Sequence, residues 1–250
     1  MKPMKILLTN DDGYNAPGIL ALDDALSPMH EVLIVAPDQD KSAVSHSITL
    51  NKPLRITKVK LHNGREGYSL SGTPADCIKL GLFELYSQAP DLIISGINPG
   101  TNTGVNINYS GTVGAAREGA INKITSIAVS VKKADGIMDF KGIARFIANF
   151  VEKIQDIDLP FGTFLNINAP DIPITESTLV RITRQGQDNV SEGFEKRVDP
   201  RKRNYYWYAD INRTSSEEDT DIHVLSINAI SITPLKCDFT DYEVMKRIEF

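Results

Sequence analysis

Cysteine is scarce in this chain. Only Cys77 and Cys237 occur among 250 residues, and they do not form a Cys-x-x-Cys spacing. This excludes a disulfide framework and a thiolate zinc site, and it suits a reducing compartment. Histidine is nearly as rare: His30, His46, His62 and His223 are scattered, with no pair at metal-ligand spacing, so a zinc centre has no support. Positive charge is not in excess either. Lys and Arg total 27 against 32 Asp and Glu, for a net charge of −5, which does not suit a protein built to grip nucleic-acid backbone. No DNA partner is expected. No apolar run approaches membrane-spanning length, and the lysines and short apolar stretch of residues 1–9 do not make a signal peptide. The expectation is a soluble, cytoplasmic protein without a membrane partner. Gly-x-Ser-x-Gly, Gly-x-Gly-x-x-Gly and Walker sequences are all missing, which removes support for serine hydrolysis and for the common dinucleotide and P-loop sites.

What is present is a hydrophobic content of 41%, enough for a substantial core. Strand and helix signals alternate along the first 170 residues. Ile6-Leu7-Leu8 reads as a short buried strand, Pro17 to Leu26 as a helix, and Glu31 to Ala36 as a second buried strand. Leu54–Lys60 and Gly67–Leu70 read as a hairpin or extension. Thr73-Pro74-Ala75-Asp76 then starts a helix to about Tyr86 that buries Ile78, Leu80, Leu82, Phe83 and Leu85. Strands follow at Asp91–Ser95, Thr125–Val131 and Phe164–Ile167, with a strongly periodic helix from Phe140 to Ile154. This is an α/β core with a mostly parallel sheet. Beyond Pro170 the alternation stops, so 171–250 is expected to be an extension, with a strand at Ala229–Leu235 and a terminal helix at Asp241–Ile248.

Two loops carry the chemistry. Asn10-Asp11-Asp12-Gly13 follows the first strand, where ligands sit in open α/β sheets. Two adjacent carboxylates repel unless a cation joins them, and a divalent metal removes that penalty. The plainer alternative is that Asp11 and Asp12 only cap the helix near Pro17. The second loop, Gly96 to Gly104, sets three glycines four apart among asparagines and threonines, and Tyr109-Ser110-Gly111-Thr112 then opens a small-residue helix. Backbone N–H groups there favour a phosphate or similar anion. Two further features point less sharply. His46 sits between Ser45 and Ser47 in the polar loop 38–47, where a general acid is conceivable but a solvated side chain is commoner. The basic run Lys196 to Arg203 precedes Tyr205-Tyr206-Trp207-Tyr208, a combination that can serve nucleotide stacking and phosphate contact but is more often a solvated turn beside a strand whose aromatics pack on the core or on a partner chain.

Thr9-Asn10-Asp11-Asp12-Gly13, Ala36-Pro37-Asp38 running on to Ser42, Ser71 to Cys77, Ser95-Gly96-Ile97-Asn98 and Tyr109 to Ala116 resemble, in order, the motifs of the SurE survival-protein family. The similarity continues through Leu165–Pro170 and Ser231–Leu235. The resemblance implies a Rossmann-like three-layer core (1–170) with a β-rich C-terminal extension (171–250) used in contacts of a homodimer or homotetramer. It also implies a divalent-metal-dependent phosphatase acting on nucleoside monophosphates, a 5′- or 3′-nucleotidase sometimes with exopolyphosphatase activity. Matched motif to motif, one Mg²⁺ or Mn²⁺ per subunit would be held by Asp11, Asp12, Ser42 and Asn98. Asn10, Ser110, Gly111 and Thr112 would line the phosphate pocket, with Asp11 and Asp12 catalytic. Such an all-oxygen set suits these cations. Water is the preferred nucleophile, with direct attack by Asp11 or Asp12 the second choice. Two other readings remain beside this one: a non-catalytic nucleotide sensor, and a metal-dependent glycosyltransferase, against which the position of the acid pair counts.

Overall fold

The computed structural model describes residues 2–133, 138–155, 157–187, 193–209 and 217–248. In chain order the elements are β1 (Lys5–Thr9), α1 (Pro17–Leu26), β2 (Glu31–Pro37), β3 (Ile56–Lys60), β4 (Glu66–Leu70), α2 (Pro74–Glu84) and β5 (Leu92–Pro99). A short 3₁₀ turn (Gly104–Asn108) leads into α3 (Gly111–Ile121), β6 (Thr125–Val131), α4 (Phe140–Ile154) and β7 (Thr163–Ala169). The last part holds β8 (Val180–Ile182), β9 (Gly193–Val198), β10 (Asn204–Ala209), α5 (Asp221–Ser226), β11 (Ile230–Lys236) and α6 (Tyr242–Met245).

The main sheet has nine strands in the order β3-β4-β2-β1-β5-β6-β7-β11-β8. From β4 to β7 every neighbouring pair is parallel, and β3 and β11 join antiparallel to β4 and β7. The connections run outward from β1 in both directions, so the order reverses between β1 and β5. At that switch point the loops leave on opposite faces and open a crevice at the carboxyl ends.

The three layers follow from alternation in the strands. Ile6 and Leu8 pack with Ile19 and Leu22 of α1 and Ile143, Ile147 and Val151 of α4. Leu7, between them, points to the other face, with Ile78 of α2 and Ala115 of α3. Helix α2 starts with the expected reciprocal cap: Asp76 N–H donates to Thr73 Oγ1 at 3.1 Å, and Thr73 N–H donates to Asp76 Oδ2 at 2.9 Å. Its buried face differs from the expectation. Ala75, Ile78 and Gly81 face inward, and Phe83 is 84% exposed because five residues after Ile78 is the opposite side of a helix.

The C-terminal segment is not simply appended. β11 pairs with β7, and β8 with β11, so both lengthen the sheet. Only β9 and β10 stand apart, as a two-stranded antiparallel hairpin. Of the two destinations expected for its aromatics, the core of this chain is not one: Tyr205, Tyr206, Trp207 and Tyr208 are all exposed. Helix α5 was not foreseen, and the terminal helix is shorter than expected. Among the described residues, no helix is long and apolar enough to cross a membrane.

Candidate active site

The crevice is built by three loops. After β1 the fully buried Asn10 donates Nδ2 to Gly13 O at 2.9 Å and accepts from Gly13 N at 3.0 Å. Gly13 takes a φ of +107°, which glycine adopts without steric cost, and the chain turns sharply just beyond the acid pair. The loop after β2 is drawn onto this turn by Lys41 N–H donating to Asp11 O at 2.7 Å and Tyr14 N–H to Pro37 O at 3.0 Å. In it, Asp40 Oδ1 accepts from Ser42 N–H at 2.7 Å and Ser42 Oγ at 2.6 Å. The loop after β5 carries Asn98, whose Nδ2 donates to Gly100 O at 2.7 Å, leaving Oδ1 as the end able to act as a ligand. Helix α1 lies directly behind it: a Cβ on Gly18 would stand 2.0 Å from Ile97 O.

Together these loops and the start of α3 line a cleft of about 430 Å³ that takes in Asp11, Asp12, Ser42, Asn98 and Ser110. Asp40, Asn106, Tyr109 and Lys133 line it too. The remaining expected residues stand behind the cleft and not on its wall. The Asn10 amide is committed to Gly13 at both ends. Thr112 is fully buried, and its hydroxyl donates to Asp11 Oδ1 at 2.6 Å while its N–H also supports that carboxylate. Gly111 serves by having no side chain, since a Cβ there would lie 3.1 Å from Asp11 Cβ and 3.1 Å from Val44 Cγ2. The positive end of α3 is therefore spent first on Asp11, with Ser110 Oγ capping Val113 N–H at 3.1 Å. His46 turns away from the cleft, with Nε2 2.8 Å from Glu118 Oε2.

The electrostatics are those of an anion cluster. Burial raises the Asp11 carboxyl above its ordinary range, against the hydrogen bond from Thr112, and Asp40 adds to the rise. Asp12 is pushed up to about 7 by burial, then by the charges of Asp11 and Asp40. Its Oδ2 is buried without a hydrogen-bond partner. Such an acceptor beside two other carboxylates fits a cation. The donor set agrees with a hard divalent ion: carboxylates, the Ser42 hydroxyl with its lone pairs away from Asp40, and the Asn98 carbonyl. No group of three His, Cys, Asp or Glu set for a metal occurs among the described residues, so the seat depends on these neutral oxygens.

Three polar residues of the cleft, Asp40, Asn106 and Lys133, were not singled out by the sequence analysis. Asp40 had a local signal, the Asp-x-Ser pattern of a side chain bonding two residues on. Lys133 follows β6, and the rule that located Asp11 applies equally to the end of that parallel strand. Asn106 sits in the 3₁₀ turn, and no periodicity marks it; Tyr109, just after the turn, was visible only as part of the motif that opens α3.

Fold and site define a doubly wound α/β protein with an oxygen-lined acidic cleft at its switch point, whose donor set would suit a divalent cation. Comparison with known proteins gives the family and the fold. The model of the family described as Survival protein SurE matches residues 6–192, and the chain belongs to the SurE family. Among its relatives, the 5′-nucleotidase SurE of Desulfatibacillum aliphaticivorans is 47% identical over 247 residues, covering 98% of this chain and 97% of the relative. That of Thermoanaerobacter sp. (strain X514) is 44% identical over 243 residues, covering 97% and 96%. The crystal structure of the SurE protein from Aquifex aeolicus superposes with a TM-score of 0.85 at 40% identity, covering 98% of each chain.

Proposed function

We propose that this chain is a divalent-metal-dependent 5′-nucleotidase that hydrolyses nucleoside monophosphates to nucleoside and phosphate. The observation that carries this is the partnerless Asp12 Oδ2, in a cleft that also gathers Asp11, Ser42 and Asn98. The curated relatives, 5′-nucleotidases by name, support the substrate class. Asp11, Asp12, Ser42 and Asn98 would hold one Mg²⁺ or Mn²⁺. Bound there, the ion would supply charge neutralisation of the carboxylates and polarisation of a phosphoryl group.

The chain's own residues do the rest. Lys133, the cation among the cleft-lining side chains, pairs with the phosphate, and Ser110 at the start of α3 binds another of its oxygens. Thr112 locks Asp11 in one orientation, which disfavours attack by that carboxylate; water is the preferred nucleophile, with Asp12 the second choice. Tyr109, half exposed at the cleft mouth, offers a ring to the nucleoside. The same cleft would serve 3′-monophosphates and the ends of polyphosphate chains. We further propose a homodimer or homotetramer working in the cytoplasm, with segment 171–250 making subunit contacts through the exposed Tyr205–Tyr208 strip.

Phosphate release from metal-stripped protein tests the activity, using nucleoside 5′- and 3′-monophosphates and polyphosphate with and without Mn²⁺ or Mg²⁺. Release that needs added metal is the expected result. Nucleotide binding without release under any metal would leave a sensor and remove the catalytic roles of Asp11 and Asp12. Sedimentation velocity of Trp207→Ser tests the assembly: a shift to monomer is expected, and an unchanged oligomer would take the hairpin out of the interface.

A further inference from the structure

Asp221 opens α5, far along the chain from every residue of the cleft, and its carboxylate is fully buried. Its partners are three backbone N–H groups: Gly104 donates to Oδ2 at 2.8 Å, and Gly186 and Ile222 each donate to Oδ1 at 2.9 Å. Burying a carboxylate is costly, and burial does push this one above its ordinary range while the N–H groups pull it back. Capping α5 does not require it, because Thr220 Oγ1 already accepts from His223 N–H at 3.3 Å. Two of its three bonds go instead to other parts of the chain.

Both of those parts are shaped to reach it. Gly104 has a φ of +54°, and a Cβ there would stand 2.9 Å from Ile222 Cδ1. A Cβ on Gly186 would stand 3.1 Å from Asp221 Oδ1. The Gly104 peptide is also gripped from its carbonyl side, where Gln185 Nε2 donates to Gly104 O at 2.8 Å. Gly104 begins the 3₁₀ turn that carries Asn106 to the cleft and runs into Tyr109 and Ser110. Upstream, Asn102 has separate anchors, with its N–H on Asn168 Oδ1 and its Nδ2 on Ser130 Oγ, both at 2.8 Å. The Asn98 end of the loop is thus held without Asp221, whereas the start of the turn leading to Asn106 is held by it; further along, Ser45 N–H donates to Tyr109 O at 2.9 Å and Ser45 Oγ to Asn108 O at 2.6 Å.

We infer that Asp221 is a positioning residue for the substrate-facing wall of the cleft, acting through Gly104 on Asn106, Tyr109 and Ser110 and touching neither substrate nor cation. The inference rests on the nucleotidase reading above. It predicts an asymmetry: loss of Asp221 harms nucleotide binding and spares the cation seat.

Asp221→Asn tests this, since an amide cannot accept from all three N–H groups. The kcat/KM for a nucleoside 5′-monophosphate is expected to fall about 10- to 100-fold, carried mainly by KM. Mn²⁺ affinity of the substrate-free protein, measured by titration calorimetry, should stay within about twofold. Amide hydrogen exchange at residues 104–109 should quicken. Simple loss of folded protein would instead lower kcat and leave KM unchanged, and that outcome overturns the inference. Gln185→Ala, which removes the second strut without stranding a buried donor set, should shift KM and exchange in the same direction by less. Unchanged KM and exchange in both variants likewise overturn it. If the unsubstituted protein releases no phosphate from any nucleotide, the nucleotidase reading falls, and exchange at 104–109 alone decides whether Asp221 holds the turn.

Discussion

Replacing Asp12 by Asn should abolish turnover and, in the metal-free protein, raise stability. In the folded chain the Asp12 carboxyl is displaced from 3.8 to about 7. For an acid raised in this way, the unfolded state ionises from about pH 4 upward while the folded state resists until about 7. The penalty is absent below the lower value, grows between the two, and is complete above 7. At about 1.4 kcal/mol per pH unit the displacement amounts to roughly 4 kcal/mol, and relaxation around a partly buried group reduces this to about 2–4 kcal/mol. Removing the charge removes the penalty. A chain of this size should then melt roughly 5–15 °C higher. Thermal unfolding of metal-stripped Asp12→Asn and unsubstituted protein, followed from pH 4.5 to 8, provides the assay. The gap should be smallest at pH 4.5, about a quarter of its full size, and largest at pH 8, and added Mn²⁺ should close it by stabilising only the unsubstituted protein. A variant less stable at pH 8, or a gap independent of pH, would refute the anion-cluster account.

Glu118→Gln should behave in the opposite sense. Burial alone would raise the Glu118 carboxyl, but hydrogen bonds from His46, Lys79 and Asn122 carry it down to about 2. Its contribution is full above pH 4.5 and lost as pH falls toward 2, so urea unfolding should show a deficit of about 3 kcal/mol at pH 7 that shrinks by pH 3. Gly111→Ala would set a methyl 3.1 Å from Asp11 Cβ and push the start of α3 off the acid pair. Calorimetric titration should show weaker Mn²⁺ binding, with kcat/KM down about 10- to 100-fold and the far-UV circular dichroism unchanged.

The parts of the fold legible in the sequence are those whose signal is local. β1 is an unbroken apolar run ended by a turn, α4 repeats its apolar residues Ile143, Ile147, Val151 and Ile154 at helical spacing, and the Thr73–Asp76 cap is a four-residue pattern. β11 was visible as a strand but not as a member of the main sheet, because its place beside β7 is fixed by pairing across more than sixty residues. Phe83 misled for a related reason. A helix with apolar residues on several sides does not say which side is buried until its neighbours are known, and here Gly81 faces Val35 and Leu7 of the sheet.

The site divides along the same line. Asp11 and Asp12 were legible because acids rarely follow a buried strand without a reason, and Asn98 and Ser42 because the family motifs carry them. What could not be read is the division of labour. Asn10, Gly111 and Thr112 lie within motifs that mark the pocket, yet each acts on the acid pair or its turn and not on the cleft wall. Adjacency in sequence to a functional residue is equally compatible with touching the ligand and with holding the residue that does. Asp221 shows the limit most plainly. Among the described residues, none within ten positions of it lines the cleft, and its meaning lies in one N–H group, that of Gly104, 117 positions earlier in the chain. Residues that shape a wall through another segment's backbone leave no spacing to detect. They emerge only when each buried charge is asked what it holds.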